Sequence, residues 1–141
     1  MTVLKTTKGR LETLLGRVVP SGQLERSLFA FGFEVTSSES KLDIDISADR
    51  PDLLSVVGLA RSVRKYMGFD PGLSSYEAYD SGITITVDPS VAGIRPYIAA
   101  CVARNTTVDK ETLEEIIGAQ EKLHETYCRK REIAAIGIYP L

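Results

Sequence analysis

The chain switches several times between two hydrophobic periods, and the switches mark its elements. Residues 2–6 alternate apolar with polar side chains as a short strand does, and residues 8–16 then set Leu11, Leu14 and Leu15 at helical spacing. Beyond the turn Pro20-Ser21-Gly22, Leu24, Leu28 and Phe31 recur at i, i+4 and i+7 until Gly32 ends the run. Period two returns in residues 33–36 and 42–47, joined by the polar turn 37–41. In the second of these, Leu42, Ile44 and Ile46 alternate with Asp43 and Asp45, which predicts one buried face and one wet face. A helix is predicted from about Asp52 to Met67, with Leu53, Val56, Val57, Ala60, Val63 and Met67 as its apolar stripe. Asp49 or Asp52 is the expected cap, and Pro51 suits an entry where no backbone donor is needed. Arg61, Arg64 and Lys65 form a cationic ridge on the other side. A solvated helix face is the ordinary reading of such a ridge, and an RNA contact is the functional one.

Residues 71–82 are rich in turn formers and lack periodicity, as a linker does. Beyond them, residues 83–87 alternate cleanly, residues 97–104 suit a strand covered on both faces, and residues 133–139 read as a last strand. Between these, Asp109 caps a helix reaching about Tyr127. Glu111, Glu114 and Glu115 suit its positive end, and Arg129, Lys130 and Arg131 its negative end. The expected fold is therefore α+β: a small domain over residues 1–72, a linker over 73–82, and a mixed α/β piece over 83–141. About three strands and one helix make that second piece marginal on its own. Its apolar run 133–138 calls for strands on both sides, supplied by further chain or by self-association through that edge.

Composition narrows the functions. Of 141 residues, 17 are Lys or Arg and 19 Asp or Glu, for a net charge of −2, which excludes a strongly basic nucleic-acid binder and confines any RNA contact to a local patch. Cys101 and Cys128 form neither a disulfide framework nor a paired zinc spacing. The N-terminus lacks a signal-length apolar run, and no apolar stretch has the length of a membrane span, so a cytoplasmic protein without a membrane partner is expected.

The predicted helix 109–127 carries the most suggestive chemistry. With Leu113 at zero and about 100° per residue, Ile116, Ile117, Leu123 and Tyr127 fall within about 80° and define a buried stripe. Gln120 and His124 lie in its middle, one turn apart. Burying them unpaired would cost about 1–3 kcal/mol each, so they either find structural hydrogen-bond partners or face a ligand. His124 and Cys128 are also one turn apart, which makes a Cys–His pair geometrically possible, though nothing nominates an oxyanion hole. Arg129, Lys130 and Arg131 suit either phosphate contacts or a helix C-terminus. Asp43, Asp45, Asp49 and Asp52 surround Arg50; strand-face and capping roles account for them better than a metal does.

Two stretches carry a family likeness. Residues 42–61, with Asp49-Arg-Pro-Asp-Leu-Leu-Ser-Val-Val-Gly-Leu-Ala-Arg61, resemble the N-R-P-D-L-L-S-x-x-G-x-A-R segment of phenylalanyl-tRNA synthetase β subunits. Arg95-Pro-Tyr-Ile98, the string from Gln120 to Arg131, and Ala135-Ile-Gly-Ile-Tyr139 resemble the archaeal and eukaryotic type, in the same order, as does the opening 3–17. The resemblance implies that residues 1–72 are the subunit's small N-terminal domain and that the rest begins the module that hydrolyses tRNA mischarged with tyrosine. It places aminoacylation, with ATP and magnesium, in a partner α subunit, and it assigns no catalytic residue or cofactor here. The matched string Q-x-x-x-H-x-x-x-x-R-x-R makes Gln120, His124, Arg129, Lys130 and Arg131 candidates for facing the editing module or tRNA, with Arg61, Arg64 and Lys65 as a second RNA ridge. The implied partners are the α subunit, the remainder of the β subunit and tRNA. A free-standing editing factor and a self-associating interaction module are the alternatives. Asp49 departs from the usual Asn, Cys128 from a common glycine, and Pro140 from a usual Asp.

Overall fold

A computed structural model describes residues 2–47 and 49–141. The chain packs as two units: the segment through Gly72 together with Asp109–Leu141, and Leu73–Val108. The first unit is a small α+β fold. Strand β1 (Thr2–Thr7) leads directly into helix α1 (Lys8–Leu15), then α2 (Ser21–Ala30), β2 (Glu34–Ser38), β3 (Lys41–Ile46), α3 (Val56–Tyr66) and, after the second unit, α4 (Lys110–Glu125). The sheet is antiparallel in the order β1-β3-β2, with Leu4 opposite Ile44 and Val35 opposite the same residue from the other side.

The expected alternation in β3 is what the sheet uses. Leu42, Ile44 and Ile46 are buried, Asp43 and Asp45 are not, and the buried row meets Leu11, Leu15, Leu24 and Leu28 from the first two helices. Thr7 ends β1 and also caps α1 by accepting from the Arg10 N–H, so strand and helix join without a loop. Gly16 closes α1 at φ 74°, a left-handed conformation that a Cβ would disfavour.

The entry to α3 differs from the expected one. Pro51–Leu53 form a 3₁₀ turn, and the helix starts later, capped by Ser55 Oγ, which accepts from the Gly58 N–H at 3.0 Å. Asp52 is not the cap. Arg50, two residues earlier, donates to both of its carboxylate oxygens at 2.9 and 2.8 Å and holds that carboxyl below its ordinary range. The later start rotates the buried face. Val57 is 49% exposed, whereas Leu54 and Leu59, outside the expected stripe, are in the core with Leu53, Val56, Ala60 and Val63. Gly58 lies where the 3₁₀ turn crosses the helix, and a Cβ on it would stand 2.1 Å from the Asp52 carbonyl oxygen.

Three expected strands do not form. Residues 83–87 and 97–104 in the second unit and 133–139 in the first form neither helix nor paired strand among the described residues. Alternating side chains provide a face, but a strand also needs a second backbone to take its N–H and C=O groups. The 3₁₀ turn Pro89–Val91, capped by Asp88, is the regular element described in the second unit. Helix α4, which the pattern grouped with 83–141, is grouped by packing with the first unit. The Arg10 guanidinium forks onto Glu115 at 2.9 and 2.8 Å and lies 3.6 Å from Glu111.

Three substitutions test the α3 junction by urea denaturation. Ser55→Ala removes the cap and should cost about 1 kcal/mol, while Asp52→Asn should cost less because Asp52 caps nothing. Gly58→Ala should destabilise by about 1–3 kcal/mol through overpacking, against the small gain that alanine ordinarily brings to a helix interior.

Candidate functional site

Helix α4 and the turn after it gather most of the residues singled out by the sequence. Asp109 accepts from the Thr112 N–H at 2.8 Å, as expected of the cap, and that bond holds its carboxyl below the usual range. The expected buried stripe is not buried. Leu113 and Ile117 are about half exposed and Tyr127 is 70% exposed, while Ile116 and Leu123 are partly covered. The covered residues at this end are instead His124, 1% exposed, and Cys128, 2% exposed.

Gln120 and His124 meet the same residue, Ile136, by its backbone. The Gln120 side-chain amide donates to the Ile136 carbonyl at 2.6 Å, and the Ile136 N–H donates to His124 Nε2 at 2.8 Å. An extended residue directs its N–H and C=O to one side, so two side chains one turn apart on a helix can take both. Accepting at Nε2 requires a neutral ring with its proton on Nδ1. Nδ1 lies 3.5 Å from Glu121 Oε1, too far for a good hydrogen bond, and has no other partner among the described residues. Glu121 in turn accepts from Arg131 at 2.6 and 2.9 Å, and this contact holds its carboxyl below the ordinary range. Gln120, His124 and Arg131 are therefore brought together, through Glu121, around one backbone residue. Glu121 itself escaped the sequence reading; its signal was a carboxylate three residues before a histidine on one helix face.

The turn 126–133 makes that arrangement possible. The Cys128 N–H bonds the Leu123 carbonyl at 2.8 Å, and then Arg129, Lys130 and Arg131 all adopt positive φ, at 45°, 54° and 69°. Bonds from the Glu132 N–H to the Arg129 carbonyl and from the Ile133 N–H to the Cys128 carbonyl close it. This corrects the expectation that the three cations cap the end of the helix: α4 stops at Glu125, and they occupy a left-handed turn beyond it. Such a conformation costs roughly 1–2 kcal/mol per L-residue. The left-handed residues begin one position after Cys128, which leaves the cysteine free of that strain. Arg129 and Lys130 are exposed there. The Cys–His pairing loses its basis, because the acceptor nitrogen of His124 is occupied by the Ile136 N–H.

The ridge on α3 is partly engaged. Lys65 donates to the Gly72 carbonyl, Arg64 lies 3.9 Å from Asp70, and Arg61 is exposed. The aspartates around Arg50 do not converge, and among the described residues no group of three His, Cys, Asp or Glu side chains could hold a metal. A cleft of about 390 Å³ lies between the open edge of β1 and α4, lined by Val3, Lys5, Arg10, Leu54, Gly118 and Lys122; burial there lowers the Lys122 pKa. Among the described residues no helix is long and apolar enough to cross a membrane.

Comparison with known proteins gives this arrangement a context. No family model matches the chain. The phenylalanine–tRNA ligase β subunit of Methanocorpusculum labreanum is 39% identical over 142 aligned positions, covering all of this chain and 26% of that protein. Those of Halorubrum lacusprofundi and Aeropyrum pernix are 40% and 37% identical, each covering all of this chain and 25% of the relative. The chain thus spans about a quarter of the length of the curated relatives it matches. Among solved structures, an N-terminal fragment of the phenylalanyl-tRNA synthetase β subunit from Pyrococcus horikoshii superposes with a TM-score of 0.72 at 27% identity, covering 92% of this chain and 39% of the fragment. In sequence and in fold, this chain is related to the N-terminal portion of the phenylalanine–tRNA ligase β subunit.

Proposed function

We propose that this chain serves protein biosynthesis as the organising N-terminal portion of a phenylalanine–tRNA ligase β subunit. It holds contacts to an α subunit, to the remainder of the β subunit and to tRNA, and it supports editing without forming the aminoacyl bond. The observation that carries this reading is the match over the whole chain to about a quarter of each relative, together with the fold of an N-terminal fragment. ATP and magnesium belong, on this reading, to the partner α subunit.

The geometry supports a structural role for the motif residues. Gln120 gives its side-chain amide and His124 its Nε2 to the Ile136 backbone, and Arg131 donates from one guanidinium nitrogen to Glu121. Neither arrangement leaves a general base poised for hydrolysis, which favours the scaffold over the free-standing editing factor. Arg129 and Lys130 are exposed on a conformationally preset turn, and cations so held suit RNA phosphates.

Two measurements test the reading. Affinity for phenylalanine tRNA should fall steeply with salt, and Arg129→Gln with Lys130→Gln should together reduce the slope of log K against log salt by about 2; an unchanged slope refutes the contact. The chain alone should form no phenylalanyl-tRNA from phenylalanine, ATP and tRNA. Product formed without an added α subunit would overturn the assignment.

A further inference from the structure

We infer that Gln120 and His124 form a proton-sensitive clamp, which docks the segment 133–141 on α4 while the imidazole is neutral and releases it when the ring takes up a proton.

The clamp has two jaws with opposite polarity. Gln120 supplies a donor to the Ile136 carbonyl and His124 supplies an acceptor to the Ile136 N–H, at 2.6 and 2.8 Å. Gln120 has no titration, but the acceptor exists only on the neutral ring. A proton on Nε2 would set one N–H against another, so the jaw that attracted Ile136 would repel it. The docked state excludes the proton, and by linkage docking weakens as pH falls.

The surroundings decide whether protonation opens a clamp or is simply forbidden. His124 is 1% exposed, and an isolated charge there would be costly. Glu121 provides for it: its Oε1 already lies 3.5 Å from Nδ1, on the side of the ring away from Ile136. The charged ring can therefore draw Glu121 closer as it loses Ile136. Arg131 holds the same carboxylate and competes for it, so the turn 129–131 is coupled to the switch. Other titratable or charged groups on the elements beside it are Lys122 and Glu125 on α4, the Cys128 thiol, Arg129, Lys130 and Glu132 on the turn, and Asp52 and Arg61 across the cleft that Leu123 lines.

Besides the clamp, the segment is held by the bond from the Ile133 N–H to the Cys128 carbonyl. Ile133, Ile136 and Ile138 are 56, 38 and 52% exposed, and residues 133–139 have no strand partner among the described residues. The device thus connects a buried histidine to an apolar segment whose exposure depends on pH.

The test is nuclear magnetic resonance on the 141-residue chain between about pH 8 and about pH 5, the interval in which imidazoles generally titrate. At the upper end the His124 ring nitrogens should report the Nδ1–H tautomer with Nε2 as acceptor. Protection of the Ile136 amide against exchange, corrected for the intrinsic rate at each pH, should drop about tenfold in step with the imidazole titration. Gln120→Leu should lower protection at every pH. His124→Gln, which retains an acceptor and cannot titrate, should keep protection and lose its pH dependence; if that variant fails to fold, the wild-type tautomer and titration decide alone. Glu121→Gln should move release to lower pH. An Nε2–H tautomer at the upper end, or Ile136 protection that ignores the imidazole titration, overturns the proposal.

Discussion

The first unit depends on a close approach of two backbones where the 3₁₀ turn 51–53 crosses α3 at Gly58. A methyl group at Gly58 would stand 2.1 Å from the Asp52 carbonyl oxygen, so only hydrogen there lets turn and helix lie this close. That proximity lets Leu53 and Leu54 enter the core from a single 3₁₀ turn, shortly after β3 delivers Ile46. Ser55 then satisfies the Gly58 N–H, and α3 runs against α1, α2 and β1. Most of the segment Arg50-Pro-Asp-Leu-Leu-Ser-Val-Val-Gly58 is thereby explained as a folding device: an ion-paired turn, two core leucines, a cap and a contact glycine.

What the sequence made legible was local and one-sided. The alternation of Leu42, Ile44 and Ile46 named the buried face of β3 because a half-covered sheet imposes period two on side chains. The α3 stripe was read with one error of phase: starting the helix at Ser55 rather than Asp52 turns Val57 outward and Leu59 inward. Asp52 looked like a cap because carboxylates favour helix entries, and Arg50 claimed it first. The strands expected over residues 83–87, 97–104 and 133–139 did not form, since alternation describes a face and leaves the hydrogen-bonding neighbour unstated.

The candidate site shows the same division. That Gln120 and His124 had to satisfy their polar atoms follows from their place at the middle of an apolar face. That the partner is the backbone of Ile136 could not be read, because a main-chain partner leaves no side-chain signature. Three consecutive left-handed residues at Arg129, Lys130 and Arg131 were equally hidden, as L-residues with long side chains give no sign of that conformation. The structure gives the family-like string Gln120–Arg131 a concrete meaning: it ends a helix, reverses the chain and seats the extended segment 133–139.

Because the clamp grips a single extended residue by both of its main-chain groups, it also counts. Adjacent residues in an extended chain present their N–H and C=O to opposite sides. Sliding the segment by one residue along α4 would turn the wrong edge toward the helix, whereas a slide of two would restore the correct one. The seat therefore fixes the register of this segment against α4 in steps of two residues.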